Sequence, residues 1–254
     1  LTRAALETVG PFGAQAAADA ERLTALGAPP ARGQVTGSLK FEMQMPDGLA
    51  ERAHALRAQW GLVRKVWVAG STREGEEVLV LATHAQLRKQ FPDLLLVLVP
   101  RHPERFDSVT RLCQKSGFRT ERRSALVGDL PADCEVLVGD TMGELMQFYA
   151  AADAAFIGGS LLPLGGQNPL EACAVGTPVV FGPHTFNFTD IVRIVREHGA
   201  GVTVAGPEAL APAIAGYLND PVARAQAGSA GRELIRANRG ALARTLSLVE
   251  HVLH

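Results

Sequence analysis

Five segments of the chain carry the residues able to do chemistry, and each joins an apolar run to a helical pattern. Gly70-Ser71-Thr72-Arg73-Glu74-Gly75-Glu76-Glu77 follows Val63–Ala69. Gly70 permits a tight turn, and Ser71 or Thr72 adds a hydroxyl beside the free amides of a helix start. That combination suits an anion and suits a simple N-cap equally well. Pro100-Arg101-His102-Pro103-Glu104-Arg105-Phe106 follows Leu94–Val99. Arg101 can hold a phosphate through two parallel hydrogen bonds. His102 fits a base-stacking or phosphate-donating role and, equally, a capping or surface histidine. For Arg105 a salt bridge on an exposed helix is the favoured reading. Gly139-Asp140-Thr141-Met142-Gly143-Glu144-Leu145 follows Glu135–Val138. The amides of Met142, Gly143 and Glu144 can meet a nucleobase or phosphate there, although an Asp/Thr cap with Glu in the first turn explains the same residues.

The most distinctive stretch runs from Gly158-Gly159-Ser160 through Leu161-Leu162-Pro163-Leu164-Gly165-Gly166-Gln167 to Asn168-Pro169-Leu170-Glu171. Its four glycines let a ligand approach the backbone closely. Pro169 suits a first helical turn, whose amides favour a phosphate. Glu171, three residues past Asn168, can accept from both hydroxyls of a ribose. A capping box of Asn168 and Glu171 accounts for those two residues but not for the glycines. Gly182-Pro183-His184-Thr185-Phe186-Asn187-Phe188 closes the series; His184 and Asn187 fit ligand contact and a turn packed by Phe186 and Phe188 equally.

The elements that must position these loops alternate. Apolar, β-branched runs predict strands at Val63–Ala69, Leu94–Val99, Glu135–Val138, Ala154–Ile157, Pro178–Phe181 and Val202–Val204. Helical spacing predicts helices at Glu74–Gln90, Pro103–Ser116, Gly143–Ala151, Asn168–Val175 and Phe186–His198, then three more around 207–218, 221–237 and 240–253. Continuous apolar strands between helices imply an α/β fold, a doubly wound parallel sheet covered on both faces. In such sheets ligands bind at the carboxyl ends of the strands, where all five segments lie. Before residue 60 the pattern is looser: a helix at Ala16–Leu26 stopped by Gly27 and Pro29-Pro30, an extended piece at Val35–Phe41, a linker at 42–50 and a helix over Glu51–Gln59.

Composition narrows the classes. The 254 residues are 47% hydrophobic and 20% charged, which excludes disorder over most of the length. Lys+Arg 25 against Asp+Glu 26 gives a net charge of −1, so no nucleic-acid partner is indicated. The three cysteines, Cys113, Cys134 and Cys173, are widely spaced and argue against both a disulfide framework and a structural zinc site. Leu94–Pro100 is far shorter than the roughly 20 residues of a membrane-spanning helix. The first residue is Leu1, not Met, and the chain is expected to be a piece of something longer.

Taken together and in order, the five segments and Thr36-Gly37-Ser38-Leu39-Lys40-Phe41 resemble the 3-deoxy-D-manno-octulosonic acid (Kdo) transferases, strongly over residues 15–200. The resemblance implies a GT-B glycosyltransferase of two Rossmann-like halves. Residues 1–41 would be the end of the N-terminal acceptor domain with the connecting segment, 42–60 a linker and helix, and 61–254 the CMP-sugar donor-binding domain. It implies transfer of Kdo from CMP-Kdo to a lipid A precursor, inverting and without metal or other cofactor; no Asp-x-Asp pair stands at a strand end. Donor-binding positions would be Ser71, Thr72, Pro100, Arg101, His102, Met142, Gly143, Glu144, Gly159, Ser160, Asn168, Pro169, Leu170 and Glu171. Lys40 would stabilise charge on the leaving phosphate. The general base and the membrane anchor would lie in the other half, which puts the whole protein at the cytoplasmic face of the bacterial inner membrane and leaves this chain soluble and inactive in transfer by itself. Gln167 stands where many members have His, which removes any titrating role there. A UDP- or GDP-sugar donor and a non-catalytic nucleotide-binding module are the alternative readings.

Overall fold

Strand propensity and burial converge on seven parallel strands. The computed structural model describes residues 2–253, and the chain divides into two units, Leu1–Gln44 with Ile235–His254, and Met45–Leu234. The smaller unit begins with α1 (Thr2–Glu7), β1 (Phe12–Ala14), α2 (Ala17–Ala25) and β2 (Gly33–Val35), with β1 and β2 paired in parallel. β1 has only three residues and no alternating pattern to mark it, and the extended piece expected at Val35–Phe41 coincides with β2 only at Val35. Leu39–Phe41 forms a 3-10 turn instead, started by Ser38, whose Oγ accepts from the Lys40 amide at 3.4 Å.

The larger unit holds α3 (Leu49–Trp60), β3 (Val66–Thr72), α4 (Glu76–Arg88), β4 (Leu95–Pro100), α5 (Phe106–Lys115), β5 (Thr120–Arg122), β6 (Val136–Val138), α6 (Leu145–Ala150), β7 (Ala154–Ile157), α7 (Leu170–Val175), β8 (Val179–Phe181), α8 (Thr189–Glu197), β9 (Gly201–Thr203) and α9 (Leu210–Asn219). Helix α10 (Pro221–Ala237) follows. The final helix, α11 (Ala241–Leu253), falls in the smaller unit rather than beyond the boundary at 61, because Leu248 approaches Gly13 of β1 and the Arg244 Nε donates to the Thr36 carbonyl at 2.8 Å.

The sheet order is β5-β6-β4-β3-β7-β8-β9, all parallel. The chain builds outward from β3 on one side and then crosses to β7 on the other, so a crevice opens at the carboxyl ends of β3, β4 and β6. Every residue of β4, β6 and β7 is buried. On one face Trp67, Leu96, Leu98, Val136, Val138 and Phe156 pack with Val80 and Leu87 of α4, Val109 and Cys113 of α5, and Ile214 and Leu218 of α9. Each such side chain removed from water contributes about 1.5–3 kcal/mol. The first long strand starts at Val66, not Val63, since Val63 is 98% exposed. β5, unrecognised in the sequence, is a three-residue edge strand rich in charge.

Cys113, Cys134 and Cys173 are buried free thiols, and burial pushes them up to about 12, about 11 and about 12. His84, in α4, is wholly buried. Trp67 Nε1 donates to its Nδ1 at 3.2 Å, which leaves the proton on Nε2 to reach the Glu135 carbonyl at 3.0 Å. Desolvation drives its pKa down to about 3. The unfolded chain therefore binds a proton here below about pH 6.5 that the folded chain refuses. Stability is expected to be level above that pH and to fall by up to about 1.4 kcal/mol per unit below it. Urea unfolding at pH 6.5 and 5.0 checks this, with His84→Gln less stable at neutral pH but flatter across the interval; equal slopes in the two proteins would contradict it.

Candidate functional site

The crevice beyond β3, β4 and β6 is a cavity of about 290 Å³ lined by Ser71, Pro100, Arg101, Met142, Gly143 and Glu171, together with Pro46, Phe106, Thr141 and Met146. Six of the residues expected from sequence meet there. Ser71 is the one non-glycine residue at positive φ among the described residues, at 56°. The β3–β4 register shifts between Gly70 and Thr72, so Ser71 is bulged out of the ladder at the strand end. Holding a serine in this left-handed region costs about 1–2 kcal/mol. Gly70 is required beside it, because a Cβ would stand 1.9 Å from the Tyr149 hydroxyl.

Arg101 is exposed, anchored through its own amide to the Thr72 carbonyl at 2.9 Å. Its guanidinium makes no hydrogen bond or ion pair among the described residues. The Glu171 carboxylate likewise has no hydrogen-bond partner among the described residues. Burial pushes its pKa up, and the positive charge of Arg101 pulls it back only in part. The cavity therefore presents one unpaired cation and one poorly solvated carboxylate. The capping box is half realised: Asn168 Oδ1 accepts from the Leu170 amide at 3.1 Å, while Glu171 makes no return bond. With Pro169 at the N-cap, the helix starts at Leu170 instead of Asn168.

Several expected ligand groups are occupied elsewhere. Thr72 is wholly buried and donates to Glu77 Oε1 at 2.9 Å. The Gly159 and Ser160 amides donate to Glu76 at 2.5 and 2.9 Å, and the Ser160 hydroxyl donates to the Ile157 carbonyl at 2.5 Å. Leu170 is fully buried and Pro169 buried, so both pack instead of facing the cavity. The Glu144 carboxylate accepts from Arg123 at 3.0 Å, from Gln147 at 2.6 Å and from Thr141. His102 does not line the cavity; its Nδ1 is 3.9 Å from Glu104. Arg105 forms its salt bridge in the interior, bidentate to Glu77 at 2.5 and 3.0 Å. Lys40 lies in the smaller unit, in a cavity of about 680 Å³ lined also by Gln15, Thr36 and Leu248. No group of three or more His, Cys, Asp or Glu side chains that could hold a metal ion occurs among the described residues. No described helix is long and apolar enough to cross a membrane.

The loop carrying Met142 and Gly143 is held from behind. Asp140, its side chain fully buried, accepts from Arg122 Nε at 2.6 Å, from the Ser124 amide at 2.8 Å and from the Ser124 hydroxyl. Those three donors hold its pKa below the ordinary value against the opposing effect of burial.

A nucleotide-sized cavity at the switch point of a parallel sheet is the architecture of the C-terminal, Rossmann-like half of a GT-B glycosyltransferase. The chain belongs to the family described as "Glycosyl transferases group 1", matched over residues 66–234. Within it the similarity runs to the Kdo transferases. The 3-deoxy-D-manno-octulosonic acid transferase of Haemophilus influenzae is 42% identical over 92% of this chain and 55% of its own length. That of Bordetella pertussis is 41% identical over 85% of this chain and 51% of its own. The crystal structure of the C-terminal CMP-Kdo binding domain of WaaA from Acinetobacter baumannii superposes with a TM-score of 0.69 at 34% identity, covering 74% of this chain and 98% of that one. The chain thus spans about half the length of the curated relatives it matches.

Asp140→Ala is expected to lower stability by about 2–3 kcal/mol by leaving the Arg122 Nε and both Ser124 donors without their acceptor, although Arg122 keeps its bond to Asp107. Urea denaturation reads the loss, and a change under 0.5 kcal/mol would show that the loop holds without it.

Proposed function

We propose that the larger unit binds the donor nucleotide of a Kdo transferase, CMP-Kdo, and that the whole protein transfers Kdo to a lipid A precursor in lipopolysaccharide assembly at the cytoplasmic face of the inner membrane. The observation that carries this reading is a Glu171 carboxylate and an Arg101 guanidinium that line one cavity, neither with a side-chain hydrogen bond among the described residues. Arg101 supplies the phosphate contact, two donors in a rigid fork. Glu171 accepts from the ribose diol, and the Ser71 hydroxyl adds a donor. The open backbone at Met142 and Gly143, where Gly143 has φ 78° and free space around it, receives the base. Similarity to the Acinetobacter CMP-Kdo binding domain supports cytidine over uridine or guanosine donors.

The chemistry follows from a CMP leaving group. As the bond from the anomeric carbon to the phosphate oxygen breaks, negative charge grows on a monophosphate, and cationic donors suffice to hold it. Lys40 is assigned that role by the family pattern of Thr36–Phe41. The reading is of inverting, metal-independent transfer, in which the acceptor hydroxyl attacks opposite the departing CMP. The base that takes its proton belongs, by the same resemblance, to a half of the fold that these 254 residues do not include.

Calorimetry is expected to show CMP binding to this chain in preference to UMP or GMP, and Glu171→Ala to weaken it by about 1–3 kcal/mol. No heat and no thermal shift from CMP on a folded sample would refute the donor site. With cytidine, which has no phosphate to titrate, affinity should fall on acidification at a pH above the ordinary glutamate range. Ionised Glu171 accepts from the ribose, and burial makes that form harder to keep. Glu171→Gln should abolish the pH dependence.

Incubated with CMP-Kdo and a lipid A precursor, this chain alone should form no glycolipid. Product at a rate near that of a full-length enzyme would place a base within residues 1–254, where His102 and His184 are the first to replace.

A further inference from the structure

Two neighbouring glutamates, Glu76 and Glu77, open α4, and both are removed from solvent, with 0% and 1% exposed. Dehydrating two adjacent carboxylates is costly unless every acceptor site is used. A helix cap does not require it, because a cap serves its own helix from the surface. Here five of the seven donor contacts come from elsewhere in the fold. Glu76 accepts from the amides of Gly159 at 2.5 Å, Ser160 at 2.9 Å and Leu161 at 3.0 Å, all in the loop after β7, and from the Arg73 amide at 3.0 Å. Glu77 accepts from the Thr72 hydroxyl at 2.9 Å and from both terminal nitrogens of Arg105, in the segment after β4.

The residues so pinned surround Ser71. Thr72 is tied by its side chain, Arg73 by its amide, and the Thr72 carbonyl receives the Arg101 amide. On the other flank Gly158 lies so close to β3 that a Cβ there would be 2.5 Å from the Ser71 carbonyl. Ser71, between these fixed points, is the residue with φ 56°. A strained conformation persists only where its surroundings over-determine it, and the two carboxylates supply that determination from both sides of the crevice.

We propose that Glu76 and Glu77 form a buried clamp that holds Ser71 in its left-handed conformation and sets the loops after β3, β4 and β7 at the spacing a nucleoside monophosphate requires. They are positioning residues, acting through Ser71 and Arg101 without touching the ligand. The proposal rests on the donor-site reading for its ligand but not for its structural coupling.

The two parts are tested separately in the intact chain. Ser71→Gly removes the Cβ that resents positive φ, so it should raise the melting temperature of the otherwise unaltered protein. The same change should give little or no gain in a Glu77→Gln or Thr72→Val background, where the clamp no longer enforces the strain. Thr72→Val keeps the buried volume and loses only the hydroxyl, so it serves if Glu77→Gln or Glu76→Gln fails to fold. CMP affinity, by calorimetry, should fall about tenfold in Thr72→Val and Glu77→Gln although neither residue lines the cavity, the equivalent of one modest hydrogen bond. Reversion of charge geometry by Glu77→Asp should recover less affinity than the parent glutamate but more than the glutamine. Equal stabilisation by Ser71→Gly in every background, or destabilisation in the parent, overturns the clamp. Unchanged CMP affinity in both Thr72→Val and Glu77→Gln overturns its positioning role. Failure of CMP to bind the parent protein overturns the donor reading, while the stability comparison still decides whether the clamp exists.

Discussion

The carboxyl edge of the sheet depends on where three consecutive amides find an acceptor. After β7 the chain turns sharply through Gly158 and Gly159, and the amides of Gly159, Ser160 and Leu161 point inward with no strand or helix to receive them. Glu76 receives all three. Buried amides without partners would each cost about 1–3 kcal/mol, so this turn and its close approach to β3 exist only with that carboxylate in place. The ladder sets the spacing of β3 and β7 as far as the Gly158 amide on the Gly70 carbonyl at 2.9 Å, and beyond it the Glu76 contact holds the loop that forms one wall of the crevice.

The fold was largely legible because its signals are redundant. Continuous apolar runs such as Leu95–Val99, alternating with helical patterns, fit a sheet covered on both faces, and turn residues follow them, glycine after β3, β6, β7 and β8 and Pro100 to Pro103 after β4. What escaped was short or charged. β1 has three residues, and β5 reads Thr120-Glu121-Arg122, in which nothing apolar betrays a strand. Its arginine is recruited by Asp140 and Asp107 across the loop, a tertiary arrangement that no local pattern announces. The boundary near the chain end was obscured for a similar reason. α11 is an ordinary amphipathic helix, and only three-dimensional packing reveals that it covers β1.

The site was legible as a set of loops and less so residue by residue. Ser71, Pro100, Arg101, Met142, Gly143 and Glu171 converge on the cavity, as residue chemistry and resemblance indicated. Thr72, Ser160 and Glu144 sit in the same motifs but spend their polar atoms on the protein. A sequence motif records which residues must be present together. It does not distinguish a side chain that touches ligand from one that holds the first in place. Glu76 and Glu77 illustrate the point: within Gly75-Glu76-Glu77 they look like acidic residues favouring a helix N-terminus, and their burial is visible only in three dimensions.

The three cysteines have a practical corollary. With thiol pKa values near 11 to 12 and no solvent access, the reactive thiolate is almost absent from the native state at neutral pH. An alkylating reagent can therefore reach each sulfur only when the surrounding structure opens. Cys113 lies in α5, Cys134 just before β6 and Cys173 in α7. Their alkylation rates would act as three built-in clocks, reporting the opening free energy of α5, of the amino end of β6 beside the sheet edge, and of the helix that carries Glu171, with no label added to the chain.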